Sequence, residues 1–135
     1  MKQLTTLFFL TILTVGSLAW SQEDKDDEVL DCENALSQLE INICAHSAYQ
    51  KQNEQLNSVY KALITKVRDN EDKKSASEKV KALRKAQRAW ITFRDAECEL
   101  DTIDSIGGSI YSAEMSSCLS SLTALRIEAL KTKSP

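Results

Sequence analysis

The chain has 135 residues, with 17 Lys and Arg against 20 Asp and Glu, one His, four Cys, three Gly and one Pro. That length holds one domain, and so few Gly and Pro cannot supply the closely spaced turns of a β-sandwich or barrel. A formal charge of −3 argues against a nucleic-acid partner, which needs a basic surface, and a lone His without a Gly-rich phosphate loop leaves no metal or cofactor to expect.

Residues 1–21 read as a signal peptide. Met1-Lys2 is a short positive start, Leu4 to Val15 is apolar but for threonines, and Gly16, Ser17, Ala19 and Ser21 form a small-residue cleavage region. The apolar run is shorter than the roughly 20 residues of a membrane span, so no stable membrane insertion is expected after cleavage. The first Cys is Cys32, too far on to take a lipid at the cleavage point. Residues 22–30 follow as an acidic flexible tail, and the folded domain is expected over 31–133. Export to the periplasm or beyond makes four cysteines in a small chain a disulfide framework, and the absence of any C-x₂₋₄-C pair removes a zinc site.

The mature chain reads as all-α, a small disulfide-stapled bundle of three to four helices. Positions 49, 53, 56, 60, 63 and 67 alternate steps of four and three, the seam of a bundle helix. Ser37-Gln-Leu-Glu40 has the capping-box form that starts such a helix. A helix from there to about Asn70, at about 1.5 Å per residue, is long for so small a domain, so a bend or an exposed end is expected. Arg68 to Lys79 is charged and reads as a linker, with Ser75 or Ser77 capping a second helix that runs to about Asp104. Leu83, Ala86, Trp90, Phe93 and Leu100 are its expected buried face. Ile106-Gly107-Gly108-Ser109 ends it, Gly being free to take positive φ. A third helix from about Ser109 to Lys133 carries Tyr111, Met115, Leu119, Leu122 and Leu130.

Four cysteines allow three pairings. In an antiparallel hairpin, residues equidistant from the turn face each other. Cys98 lies nine residues before Gly107 and Cys118 ten after Gly108, while Cys32 and Cys44 flank the Ser37 cap. Sequential pairing, Cys32–Cys44 and Cys98–Cys118, is the expectation.

Catalysis finds little support. Cys44 and His46 stand two apart on a helix and face different ways, so they are not a nucleophile–base pair. Asp95/Glu99 and Glu97/Asp101 are more simply surface pairs than the two carboxyls of a glycosidase cleft. Gln87, Trp90, Arg94 and Glu97 form a stripe on the second helix, with Asn53 and Asn57 on the first and Arg126 on the third. They read as a structural polar network that fixes helix register, against the alternative of a partner-binding surface rich in Trp and Arg.

Asp31-Cys32 with Ala35, Asn42-x-Cys44-Ala45, Gln55-Leu56-Asn57-x-x-Tyr60 and the run Leu83-Arg84-x-Ala86-Gln87-Arg88-Ala89-Trp90-Ile91-x-Phe93-Arg94-Asp95-Ala96-Glu97-Cys98 together resemble the LprI-type lysozyme inhibitor family, a four-cysteine exported domain. Gly108-Ser109-Ile110-Tyr111, Cys118 and Leu122-x-x-x-Arg126-x-x-x-Leu130 resemble its closing segment. The lipid-accepting Cys of the lipoprotein members is missing, which implies a soluble form. The resemblance implies a non-enzymatic protein that binds and blocks lysozyme, protecting peptidoglycan. Lysozymes are usually basic, so an acidic chain gains electrostatic steering. An inhibitor must offer donors to a cleft that works with two carboxylates. The Gly107-Gly108 tip, with Ser109 and Tyr111 as donors beside the Cys98–Cys118 bridge, is the candidate partner-binding element. Two other readings stay open: a periplasmic interaction or envelope-stress module with a non-lysozyme partner, and a small hydrolase.

Overall fold

The computed structural model describes residues 30–133. The expected signal peptide (1–21), and all of the acidic tail (22–30) but Leu30, lie outside the described residues. The fold is all-α: α1 (Gln38–Asn70), α2 (Lys73–Asp101) and α3 (Tyr111–Lys131), with a 3₁₀ turn at Ile103–Ser105 before α3. Disulfides join Cys32 to Cys44 and Cys98 to Cys118, with Cα–Cα separations of 5.5 and 5.6 Å.

α1 starts where the capping box puts it. The Ser37 hydroxyl accepts the Glu40 N–H at 3.2 Å, and the Glu40 carboxylate accepts the N–H groups of Ser37 at 2.8 Å and Leu36 at 3.0 Å. These two amides, Ser37 first, hold the Glu40 carboxyl below its ordinary value. The helix then runs 33 residues without interruption, so the bundle has three helices rather than four.

The charged stretch expected as a linker is mostly helix. Only Glu71 and Asp72 separate α1 from α2, both with extended backbone. Asp72, not Ser75 or Ser77, is the cap: its carboxylate accepts the N–H groups of Lys74 at 3.0 Å and Ser75 at 3.2 Å. The bonds from Ser75 and Lys74 lower its pKa. The Lys79 ammonium pairs with the Glu71 carboxylate across the turn. Lys and Glu are good helix formers, and Ala76 and Val80 give the first turns of α2 something to bury. At the other end α2 stops at Asp101, short of the expected Asp104. The Thr102 N–H and hydroxyl both donate to the Cys98 carbonyl, at 3.2 and 2.7 Å. Gly107 does take positive φ, +81°, but just past the C-cap of the 3₁₀ turn and not at the end of α2.

α2 returns along α1, and α3 returns along α2, so α1 and α3 lie parallel. The Asn42 amide of α1 donates to the Ser109 carbonyl just before α3, at 2.9 Å, which fixes their common end. This parallel pair has the most extensive packing in the molecule. The aliphatic core is Leu56, Leu63, Ile64 and Val67 of α1, Ala76 and Val80 of α2, and Ile127 and Leu130 of α3. All of it lies in the half nearest the α1–α2 turn. Toward the stapled end the buried residues of α3 are Ala113, Ser116 and Thr123, small side chains that let two helix axes approach.

Two helix faces differ from expectation. On α2, Ala86, Phe93 and Leu100 are exposed, and the inward row is Ala76, Val80, Leu83, Gln87, Trp90, Arg94 and Cys98. The row keeps bundle spacing but passes through polar residues, so a reading that follows large apolar side chains drifts off it. On α3 the expected Tyr111, Met115, Leu119 and Leu122 are only half-buried, and of that set Leu130 alone belongs to the buried row.

Close packing at Ser116, 5% exposed, makes a specific prediction. Ser116→Leu should lower the unfolding free energy by about 1–3 kcal/mol through overpacking, whereas Ser117→Leu on the exposed side should change it by less than about 0.5 kcal/mol; urea titration of both variants checks this. The caps make another. Glu40 and Asp72 have native pKa values lowered below the ordinary 4.5 and 3.8, so their contribution is whole at neutral pH and is lost as pH falls through the lowered values. Glu40→Gln and Asp72→Asn should therefore unfold at lower urea than the parent at neutral pH, with the gap closing on acidification.

Candidate functional site

The polar stripe of α2 sits between helices. Gln87 and Arg94 are buried, at 8% and 6% exposure, and Trp90 and Arg126 are half-buried. Arg94 donates from Nε and Nη2 to Asp95 Oδ1 at 2.8 and 2.6 Å and from Nη1 to Thr123 Oγ1 at 3.4 Å. Its guanidinium lies 5.3 Å from the Trp90 ring centroid and 5.6 Å from that of Tyr49. Arg126 donates from Nε to Gln87 Oε1 at 3.1 Å and lies 5.5 Å from the same Trp90 ring. Trp90 thus meets two guanidinium groups, and all three helices contribute to the cluster: Tyr49 from α1, Gln87, Trp90, Arg94 and Asp95 from α2, and Thr123 and Arg126 from α3. Burial pushes the Arg126 pKa down, partly offset by Tyr60, and the group stays charged. No buried side-chain nitrogen or oxygen lacks a partner among the described residues.

The structure brings Gln87, Trp90, Arg94 and Arg126 together and adds Tyr49, Asp95 and Thr123, which sequence reasoning did not place there. Asn53 and Glu97 are half-buried and Asn57 is exposed; none hydrogen-bonds to this cluster among the described residues. Of the four carboxylates in the two spaced pairs, Asp95 holds Arg94, Glu97 is half-buried, and Glu99 and Asp101 are exposed. Among the described residues no three His, Cys, Asp or Glu converge on a metal position.

The stapled end is different in kind. Gly107, Gly108 and Ser109 are exposed, and Tyr111 opens α3 half-buried. A side chain at Gly107 would be strained by the backbone angle, and one at Gly108 would meet the Ser105 carbonyl oxygen at 3.1 Å. The loop is held on both flanks, by the Cys98–Cys118 bridge and by the Asn42–Ser109 bond. Around it stand aliphatic side chains that a folded chain would ordinarily cover: Leu100 at 62% exposure, Ile103 at 56%, Ile106 at 66% and Ile110 at 45%, with Leu39 at 68% and Ile43 at 49% on the first turns of α1. Asn42, His46, Ser47 and Ser112 line a shallow groove beside Leu39 and Ile43. His46 is exposed, its ring 6.4 Å from that of Tyr49, while Cys44 is locked in its disulfide. Sequence reasoning missed the α1 share of this end. For Ile43 the signal was present, since it falls off the seam of Leu56, Asn53 and Tyr49 continued backwards through 46, 42 and 39; Leu39 falls on that seam and is exposed all the same.

The model of the family "Lysozyme inhibitor LprI" matches residues 32–130. The chain belongs to the LprI lysozyme inhibitor family. The match spans both disulfides and all three helices. Among curated proteins the chain is 36% identical over 106 residues to uncharacterized protein R02472 of Rhizobium meliloti (strain 1021), covering 75% of this chain and 76% of that protein. It is 27% identical over 146 aligned positions to uncharacterized protein YecT of Escherichia coli (strain K12), covering 93% and 90%. No solved structure gives a significant match. The family's description is that of a lysozyme inhibitor, a role whose partner is a protein. The chain's two disulfides fit an oxidising compartment, and among the described residues no helix is long and apolar enough to cross a membrane.

The contact between Gln87 and Arg126 is open to a double-mutant cycle. Gln87→Leu, which leaves the Arg126 Nε without its acceptor, should cost about 1–3 kcal/mol, and adding Arg126→Met should recover part of that loss. Strictly additive costs in urea unfolding would show that the two side chains are not coupled.

Proposed function

We propose that this LprI-family protein is exported, with residues 1–21 removed as a signal peptide, and that it inhibits lysozyme with the disulfide-stapled end of its bundle, so protecting peptidoglycan in the periplasm or outside the cell. Family membership across the whole described fold supports the inhibitory role. The observation that carries the choice of surface is the grouping of exposed aliphatic side chains around a loop fixed on both sides. Burial of those side chains supplies the favourable term of an interface, and a loop already ordered by a disulfide loses little freedom on binding. Ser109, exposed, and Tyr111, half-buried, are the hydroxyl donors this reading assigns to that surface, the chemistry that a cleft working with two carboxylates accepts. The net negative charge of the chain raises the encounter rate with a basic enzyme. The Arg94–Trp90–Arg126 cluster supports the surface from behind by fixing how α2 and α3 sit against α1.

Purified protein added to a cell-wall turbidity assay should slow clearing by lysozyme. Ser109→Ala/Tyr111→Ala and, separately, Ile106→Asp should each weaken inhibition at least tenfold while helical circular dichroism is unchanged. Undiminished inhibition by both folded variants would remove the stapled end from the mechanism. An absence of any effect would favour a non-lysozyme partner, and clearing without added lysozyme would establish a hydrolase.

A further inference from the structure

The opposite end of the molecule carries a second surface, of the other sign. Between Lys73 and Arg88 the sequence has seven Lys and Arg and one carboxylate, Glu78. Four of these cations, Lys73, Lys81, Arg84 and Arg88, recur at bundle spacing on the outward side of α2 and line one open groove with Arg68 from the end of α1. Glu78 does not line it. None of the five is in an ion pair among the described residues, whereas Lys79, one turn away on another face, is already taken by Glu71. An acidic chain has therefore kept five uncompensated positive charges in one groove. Clustered like charges repel, and a concave surface lined by one sign concentrates the field that attracts a counter-charge.

We infer that this groove binds a linear phosphate-bearing polymer without bases, since no aromatic side chain lines it for a nucleobase to stack on. Lys73 to Arg88 spans about 22 Å of helix, the reach of several repeating charges on an extended polymer and far more than a single small anion fills. Three of the five cations are Arg, whose forked donors suit phosphate oxygens two at a time. Ala76 and Val80, the apolar residues on the groove floor, are each only 6% exposed, so the groove itself has no side chain to sink into a lipid layer as a surface-bound amphipathic helix does. The same positive charge repels a basic lysozyme, so the groove and the stapled end serve separate partners at opposite ends of one rod.

Long-chain inorganic polyphosphate is the probe, added to the chain as purified from the expressing cell with its disulfides intact and followed by fluorescence anisotropy. Binding should weaken roughly ten- to 100-fold between 50 and 200 mM salt, as release of counterions from several phosphates requires. Arg84→Ser/Arg88→Ser should weaken it at least tenfold at low salt and flatten the salt dependence. Lys51→Ser/Lys61→Ser, the same change in charge on exposed α1 positions, should weaken it less than threefold. Equal losses in the two double variants would overturn the proposal, because net charge and not the groove would then carry binding. So would binding to phosphatidylglycerol vesicles in preference to the polymer, equal competition by orthophosphate at matched phosphate concentration, or binding that emerges only when the acidic residues 22–28 are removed.

Discussion

Cys98 is completely buried between α2 and α3, and its bond to Cys118 closes the bundle in a half that has almost no aliphatic core. Beyond Leu56 the interior turns to Ala113, Ser116, Thr123, Gln87 and Arg94. Such residues give little of the burial energy that normally holds a small domain together. A bridge closing a loop of this size adds about 3 kcal/mol, chiefly by restricting the unfolded chain, a large share of a typical net stability. With that bond in place, the half near the α1–α2 turn relies on packed aliphatic side chains and the other half on covalent closure and a satisfied polar cluster.

This division frees the stapled end from the usual need to hide its apolar side chains. Ile103, Ile106, Ile110, Leu39 and Ile43 need not fold inward to stabilise anything, so they remain outside. The Arg94–Trp90–Arg126 cluster has a related role. Helices that touch through small residues slide easily past one another, and directional contacts to Thr123, Gln87 and the Trp90 ring remove that freedom. Register fixed in this way keeps the Asn42–Ser109 contact, and hence the loop, in one position.

Features set by neighbours in the chain were legible in the sequence. The Ser37–Glu40 box needs four residues and no tertiary partner, and the sequential cysteine pairing follows from hairpin arithmetic alone. The α1 seam was readable because Leu56, Leu63 and Val67 are large and apolar where they are buried. The α2 face was not, because the burial of Gln87 and Arg94 depends on Arg126 and Thr123, far along the chain. The α3 row was hidden for a similar reason: Ser116 and Thr123 are inward because a helix must approach closely there, and a reading by hydrophobicity ranks Leu119 and Leu122 above them. The Asp72 cap was overlooked within a run of charges that resembles a solvated linker. At the candidate site the loop was recognisable from its glycines. Of the aliphatic residues of α1 that complete it, Ile43 stands off the seam continued backwards past Tyr49, but Leu39 stands on it, so periodicity alone would have placed Leu39 inside.

Placing both sulfur bridges at one end gives the molecule an uneven response to thiol–disulfide exchange. A reductant severs the restraints on the loop and on the entry to α1 while leaving the interleaved leucines and isoleucines at the far end untouched. Order at the proposed recognition end and helicity at the other then part company. A chain made where glutathione keeps thiols reduced would lack both restraints on that end and would gain them only in an oxidising space.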